Sequence, residues 1–318
     1  MSTPAKLAAF AATLAVLFGG GALAGGAIDP DRDELRASHA DAAPENDGAH
    51  GAAEKEHETV STSHTESKNE THGGADKAAH PVRGLAVAEN GLRVVVEDPE
   101  LRRGRNERLS FRVVDDAGET VRGFDVEHEK RMHLIVARRD LATFQHLHPT
   151  QQADGSWTTD ITLDEAGSYR LFADFAREGK SYTLASDLRV DGNADLEPLP
   201  APAPMSVSDG GYDVRLDAGR ARPGEEADLR FAITKNGQTV HTEPYLGAGG
   251  HLVALREGDL AFLHVHPTEH GTGEKQTDRH DDSVGFAATF PTTGRYRLFL
   301  QFKHEGRVQT VAFTQEVE

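Results

Sequence analysis

From residue 84 to the end of the chain, short runs of alternating apolar and polar residues are separated by turn residues such as Asp154-Gly155. Successive side chains of a strand point to opposite faces, so this pattern is typical of strands that bury one face. No stretch of this part has a long helical period, and many short strands at this spacing predict an all-β sandwich. The strands predicted in the first half are Leu92–Val96, Arg108–Val114, Trp157–Leu163, Ser168–Phe175 and Ser186–Val190.

The strand pattern occurs twice. Residues 109–111 (LSF) align with 229–231 (LRF), and residues 167–172 (GSYRLF) align with 294–299 (GRYRLF). The second copy has a polar insertion between residues 268 and 283, which predicts a loop. We therefore predict two tandem immunoglobulin-like β-sandwich domains. They span 82–196 and 205–318 and are joined by a stiff proline-rich linker at 197–204.

Each copy contains a predicted hairpin that carries three histidines with the same spacing, at 132–149 and at 250–267. The two histidines of each His-x-His segment share a face of their strand. With a four-residue loop at 139–142, the earlier histidine lies opposite the last one, so three imidazoles crowd one patch of the sheet. The two triplets are His133, His146 and His148, and His251, His264 and His266.

These histidines are the candidate metal ligands. Their face also holds Ile135, Phe144, Val253 and Phe262, so we expect it to be buried. An unpaired buried polar group costs about 1–3 kcal/mol, and a metal ion satisfies three nitrogens at once. The alternative is a structural cluster held by hydrogen bonds. The chain has no cysteine, and imidazole suits copper and zinc, with copper binding more tightly at nitrogen sites. We therefore expect one Cu(II) or Zn(II) per sandwich, copper favoured.

Three residues near the first triplet are candidate additional ligands: His128, Glu129 and Met132. Met132 is predicted to face the other side of its strand, and the second copy has no counterpart of His128 or Glu129. Neither copy shows a general base or a nucleophile motif, so we expect no enzyme, and a zinc enzyme is the least favoured interpretation. A further alternative is an interaction or adhesion module whose histidines are structural.

The N-terminal residues predict export. Residues 7–28 carry no charge, follow Lys6 and precede several acidic residues, which is typical of either a transmembrane anchor or a cleaved signal peptide within 1–28. Residues 29–81 have few large apolar side chains and predict a disordered, acidic tether whose six histidines add metal affinity. A net charge of −18 argues against nucleic acid as a partner. The bulk of the chain is expected outside the cytoplasm, at the cell membrane or secreted, and no protein partner is identified.

The first hairpin and the residues before it resemble a family of exported bacterial proteins. The segments HEKRMHLIV at 128–136 and FQHLHP at 144–149, with Asp140-Leu141 between them, match its HEK-x-MHLI and DL-x-x-F-x-H-[LIV]-HP patterns. This family is described as secreted or heavy-metal-binding, and its sandwich is similar to periplasmic copper-carrier and FixH-like immunoglobulin-type domains. The resemblance covers about residues 82–190, and the second copy follows it only at its histidines and at 245–247. It implies an exported metal-binding sandwich.

Overall fold

The computed structural model describes residues 82–263, 265–268 and 283–318. The predicted anchor or signal segment at 1–28 and the predicted tether at 29–81 lie outside these residues. None of the described residues forms a helix with the length and apolar character that a bilayer span requires. The described chain is all-β, as the sequence predicts, and forms two immunoglobulin-like sandwiches.

The first sandwich contains ten strands in two five-stranded sheets. Its strands are β1 Ala88–Glu89, β2 Leu92–Val96, β3 Glu100–Leu101, β4 Asn106–Val114, β5 His133–Arg138, β6 Phe144–Leu147, β7 Thr150–Gln151, β8 Trp157–Thr162, β9 Gly167–Arg177 and β10 Lys180–Val190. One sheet has the order β1-β2-β4-β8-β7, and the other, called inner sheet 1, has the order β3-β10-β9-β5-β6. Only the short β3 pairs in parallel among these described strands.

The second sandwich repeats this arrangement. Its strands are β11 Met205–Val207, β12 Tyr212–Asp217, β13 Glu226–Lys235, β14 Gln238–Thr239, β15 His251–Arg256, β16 Phe262–Leu263, β17 His266–Pro267, β18 Val284–Thr289, β19 Gly294–His304 and β20 Arg307–Val317. One sheet has the order β11-β12-β13-β18-β17, with β14 beside β13. The other, called inner sheet 2, has the order β16-β15-β19-β20.

The two inner sheets pack against each other, so both sandwiches belong to one compact unit of the chain. Strand β5 shows how this happens. Leu134 and Val136 enter the core of the first sandwich, whereas Ile135 and Ala137 lie in a separate apolar cluster shared with the second sandwich. All six residues of β5 are consequently buried. The face of β5 that carries Ile135 and Ala137 is buried, as predicted. It packs against the second sandwich and not within the core of the first.

Aromatic side chains form the centre of this interface between the sandwiches. Phe144 of β6 stacks on Phe299 of β19 with ring centroids 4.0 Å apart and planes 8° from parallel. Phe172 and Phe262 lie 5.6 Å apart at a tilt of 45°. Buried aromatic pairs of this kind contribute about 0.5–1.5 kcal/mol beyond their area. The interface is therefore an apolar contact between large residues of both inner sheets.

A buried ion pair holds the loop of the first histidine hairpin. The Arg138 side chain is 2% exposed and donates from Nε and Nη2 to the two carboxylate oxygens of Asp140, at 2.8 and 2.7 Å. The same carboxylate accepts the backbone N–H of Glu197, at 2.9 Å. Leu141 adopts φ +62°, which closes the predicted four-residue loop, and the N–H of Arg138 donates to the carbonyl of Thr143. This loop sets the register of the hairpin.

Candidate metal centre

The hairpin β5–β6 places the first histidine triplet as the sequence predicts. Leu134 pairs with Leu147 and Ile135 with His146. One further step in this register sets His133 opposite His148, which confirms the predicted pairing. The ring centroids of His133 and His148 are 5.1 Å apart, and those of His146 and His148 are 4.7 Å apart. One nitrogen from each of these three rings lies within 4.8 Å of the others.

The second triplet does not form a separate cluster among the described residues. His251 opens β15 on inner sheet 2, and its ring lies 4.8 Å from that of His146 and 5.7 Å from that of His133, to which it is parallel within 7°. His266 lies on β17 in the other sheet of the second sandwich, where it is exposed. His264 lies outside the described residues. His251 and His266 thus lie on different sheets of the second sandwich, and a site formed by the whole second triplet stays a prediction.

The four clustered histidines, called the interface histidines, are His133, His146, His148 and His251. A metal ion lies roughly 3.2 Å from the centroid of a ligating ring, so two ligands have centroids roughly 4.5 Å apart at a right angle and roughly 6.4 Å apart on opposite sides. Five of the six pairs have separations of 4.7 to 5.7 Å, which fall in this interval. The ligand nitrogens of His133, His146 and His148 lie within 4.8 Å of one another, so these three rings are spaced to ligate one ion, and the ring of His251 lies beside them.

Hydrogen bonds orient two of these rings. Nε2 of His133 lies 3.1 Å from the carbonyl oxygen of Glu127, and because a carbonyl only accepts, this nitrogen carries the hydrogen. Nδ1 of His146 lies 2.7 Å from Oε1 of Gln301, whose Nε2 donates to Oγ1 of Thr310. In this amide orientation Nδ1 of His146 is also the donor.

The remaining nitrogens of these two rings face each other. Nδ1 of His133 and Nε2 of His146 are 3.1 Å apart, and in the neutral tautomers set by their other hydrogen bonds both present lone pairs. Two lone pairs at this distance repel unless a cation lies between them. Two nitrogen ligands of a tetrahedral ion are roughly 3.3 Å apart, since each bond is about 2.0–2.1 Å long. The pair is thus spaced like two ligands of one ion.

Nε2 of His148 adds a third unsatisfied nitrogen. It is buried and has no hydrogen-bond partner among the described residues. Burial, together with smaller contributions from nearby imidazoles, lowers the pKa of His148 to about 4 and that of His146 to about 3. Burial likewise lowers the pKa of His133 and, more strongly, that of His251. Neutral imidazole is the form that binds metal, so these rings are ready to ligate at neutral pH.

The three candidate additional ligands lie at the edge of the cluster or away from it. Met132 is 1% exposed and belongs to the core of the first sandwich, on the face opposite the histidines, so it is not a ligand. Glu129 is exposed, at the tip of the turn 127–130. His128 belongs to the same turn, and its ring lies 6.2 Å from that of His133 and 5.9 Å from that of His251.

Sequence reasoning missed three polar residues beside the histidines. Gln301 pairs with His251 across β15 and β19, and Asp174 pairs with His133 across β5 and β9. Thr183 donates to Oδ1 of Asp174 at 2.6 Å, and burial raises the pKa of this carboxyl group. The aligned repeat could have revealed Asp174 and Gln301, because they occupy the same position after GSYRLF and GRYRLF.

Solved structures resemble the chain only remotely. An Escherichia coli adhesin, FdeC, aligns at 15% identity with a TM-score of 0.25 over 73% of this chain and 66% of that protein. Salmonella alpha-2-macroglobulin aligns at 14% identity with a TM-score of 0.26 over 76% and 15%. A putative membrane anchored protein of Corynebacterium diphtheriae aligns at 11% identity with a TM-score of 0.21 over 72% and 59%. The chain covers less than two thirds of each of these structures.

No curated protein sequence matches the chain. A family model does match it, in two regions that coincide with the two sandwiches, residues 86–192 and 206–318. Together these regions contain most of the chain and nearly every described strand. The chain therefore belongs to the family described as a domain of unknown function (DUF8832).

Proposed function

We propose that this protein binds a metal ion, Cu(II) in preference to Zn(II), between its two sandwiches. The ligands are the interface histidines, three from the first sandwich and His251 from the second. The observation that carries this proposal is the approach of two ring nitrogens, Nδ1 of His133 and Nε2 of His146, to 3.1 Å beside the unsatisfied Nε2 of His148. A purely structural cluster would have paired these nitrogens with donors.

The site differs from the two independent sites that the repeat suggests. His146 and His251 lie on different sandwiches, and their rings are 4.8 Å apart. Loss of either should therefore weaken the same site. Copper is favoured because the ligands are all imidazole nitrogens, for which Cu(II) ranks above Zn(II). The proposed role is binding and holding the ion, without catalysis.

The test uses the full-length chain with His39, His50, His57, His64, His72 and His80 replaced by asparagine, called the tail-substituted chain. Its Cu(II) and Zn(II) affinities are measured by competition with chelators of known affinity. His146→Ala and His251→Ala should each weaken binding strongly. The matched control is His266→Ala, because this exposed residue lies on the other sheet and its loss should leave the site intact.

Two outcomes would contradict the proposal. If the tail-substituted chain binds neither ion more tightly than about 1 mM, the cluster is structural, and an interaction or adhesion module becomes the better account. If His251→Ala leaves affinity unchanged while His146→Ala abolishes it, the site belongs to the first sandwich alone.

We further propose that the sandwiches stand outside the cytoplasm, anchored through residues 7–28 or released after their cleavage. The uncharged segment after Lys6 and the acidic residues that follow support this orientation. Protease added to intact cells should degrade the sandwiches and leave a short membrane fragment if the segment is an anchor. Sandwiches that stay protected until the cells are lysed would contradict export.

A further inference from the structure

We infer that Asp174 supplies a negative charge that balances the proposed metal ion, and that this charge favours Cu(II) over Cu(I). The inference rests on the proposed function and adds a residue that acts on the ion without ligating it. Asp174 pairs with His133 across strands β9 and β5, so both side chains point to the face of inner sheet 1 that packs against the second sandwich. Directly opposed residues of antiparallel strands have Cβ atoms roughly 5 Å apart. The carboxyl group therefore lies beside a proposed ligand.

The second sandwich shows that this position reaches the histidine cluster. Gln301 pairs with His251 across β19 and β15, as Asp174 pairs with His133. Oε1 of Gln301 lies 2.7 Å from Nδ1 of His146. The position beside the first histidine of each triplet is thus within reach of the imidazoles, and in the second sandwich it holds a neutral amide.

A hydroxyl group on the next strand holds each of these side chains. Gln301 donates to Oγ1 of Thr310 at 3.1 Å, and Thr183 donates to Oδ1 of Asp174 at 2.6 Å. The two positions therefore have the same place in their sandwiches and the same kind of support. An amide satisfies the fold at this position, so what Asp174 adds is a negative charge.

No cationic side chain of the described residues forms an ion pair with this carboxyl group. Arg83 lies near Asp174 and Lys130 lies near His133, but neither belongs to an ion pair in the described part of the chain. The nearby Glu127 is a second acid. Burial raises the pKa of the Asp174 carboxyl group, as expected for an acid that is withdrawn from water without a cation at contact distance. A metal ion on the neighbouring imidazoles would supply that cation.

The charge of Asp174 matters because the proposed ligands are all neutral. The interface histidines leave the full charge of the ion in place, which is one unit larger for Cu(II) and Zn(II) than for Cu(I). A carboxylate one strand from a ligand is close enough to act on this charge at the effective dielectric constant of a partly buried site. Since the attraction is proportional to the charge of the ion, the carboxylate stabilises either divalent ion about twice as strongly as Cu(I).

The experiment measures the reduction potential of copper bound to the tail-substituted chain. Asp174→Asn removes the charge, nearly preserves the shape of the side chain and keeps an acceptor for Thr183. Asp174→Gln is a second neutral variant and carries the residue that the second sandwich has at this position. The control is Asp187→Asn, which removes an acid from the same sheet where the side chain is 70% exposed and paired with Arg170.

Three further measurements accompany the potential. Chelator competition gives the affinities for Cu(II), Zn(II) and, without oxygen, Cu(I). Pulsed electron paramagnetic resonance counts the imidazoles on Cu(II). Thermal unfolding of the metal-free chains confirms that the variants fold.

We expect Asp174→Asn to lower the affinities for Cu(II) and Zn(II) about tenfold more than the affinity for Cu(I). A tenfold change in the ratio of the Cu(II) and Cu(I) affinities raises the reduction potential by about 59 mV. The number of bound imidazoles should stay the same, because no ligand is removed. Asp174→Gln should shift the potential in the same direction, and Asp187→Asn should leave it unchanged.

Two results would overturn this inference while leaving the proposed site intact. One is a reduction potential that stays at the parent's value in both neutral variants. The other is an equal loss of affinity for all three ions, which would assign Asp174 a structural role without an effect of its charge. Absence of Cu(II) binding by the parent chain would overturn both the inference and the proposed function.

Discussion

Nδ1 of His146 donates to Oε1 of Gln301 at 2.7 Å, and these residues lie 155 positions apart, in different sandwiches. This bond ties the central ring of the histidine cluster to inner sheet 2. It also selects the tautomer that turns Nε2 of His146 towards His133. In the proposed site, the second sandwich therefore supplies both a ligand, His251, and the residue that orients His146.

Replacement of Gln301 by leucine should therefore weaken metal binding without removing a ligand. Partners that orient a ligating histidine typically contribute 10- to 100-fold in affinity, so we expect a loss of at least about tenfold for Cu(II). Chelator competition measures it. The control is Gln315→Leu on β20, whose amide donates to the neighbouring carbonyl of Glu316 at 2.7 Å. Equal affinities for Gln301→Leu and the parent chain would contradict the orienting role.

Metal binding should stabilise the folded chain, because the site needs both sandwiches in place. At a free metal concentration one hundred times Kd, the added free energy of unfolding is about 2.7 kcal/mol. Thermal unfolding of the tail-substituted chain with Cu(II), and again after chelation, measures the shift. His251→Ala should remove most of it. A shift that persists in this variant would place the bound ion elsewhere.

The metal-free chain should lose stability as pH falls below about 6.5. The pKa of His146 is lowered to about 3 and that of His148 to about 4, so the unfolded chain takes up protons at a pH where the folded chain does not. Stability is therefore complete above about 6.5 and falls between about 6.5 and 4, by up to about 1.4 kcal/mol per pH unit for each histidine. Urea unfolding with chelator present measures this slope. A double variant, His146→Gln with His148→Gln, should reduce this slope to the part that His133 and His251 contribute, and an unchanged slope would contradict the assignment to His146 and His148.

The ion pair of Arg138 and Asp140 should contribute more than its counterpart in the second sandwich. Asp140→Asn leaves the buried guanidinium with only the more distant Glu165 carboxylate, at 3.7 Å, as a charge partner and should cost about 3 kcal/mol. The side chain of Asp259, which pairs with Arg256, is 42% exposed, so Asp259→Asn should cost about 1 kcal/mol or less. Urea unfolding of both variants makes the comparison. Equal losses would mean that burial does not distinguish the two pairs.

Gly84 lies where the chain enters the space between the sandwiches. A Cβ atom there would be 2.7 Å from Cβ of Phe262 and 2.9 Å from the ring of Phe172, which belong to different sandwiches. Gly179 has the same φ of +72° and no atom within 4 Å of the corresponding position. Gly179→Ala should cost about 1 kcal/mol for the backbone alone. Gly84→Ala should cost the same backbone term and about 1–3 kcal/mol more for overpacking. Equal losses in the free energy of unfolding for the two variants would contradict the close contact at Gly84.

The strands and the register of the first hairpin could be predicted largely from the sequence. Leu92–Val96 is a strand with the predicted bounds, and the other four predicted strands are present with ends that shift by up to six residues. The register that sets His133 against His148 was also predictable, since loop length and the two-residue period of a strand determine it. Similar reasoning placed Met132 on the opposite face. These features depend on residues close together in the chain.

The composition of the site was decided by tertiary structure. Strand β5 has the sequence HLIVAR and is buried on both faces. Its apolar residues predict that both faces are buried, but they do not indicate which part of the protein packs against each face. The repeat suggested two equal sites, whereas packing of the inner sheets brings His251 and Gln301 to the first triplet and leaves His266 on another sheet. Local periodicity determines which residues share a face. Which two faces meet depends on contacts between residues more than a hundred positions apart, for which a single sequence carries no periodic signal.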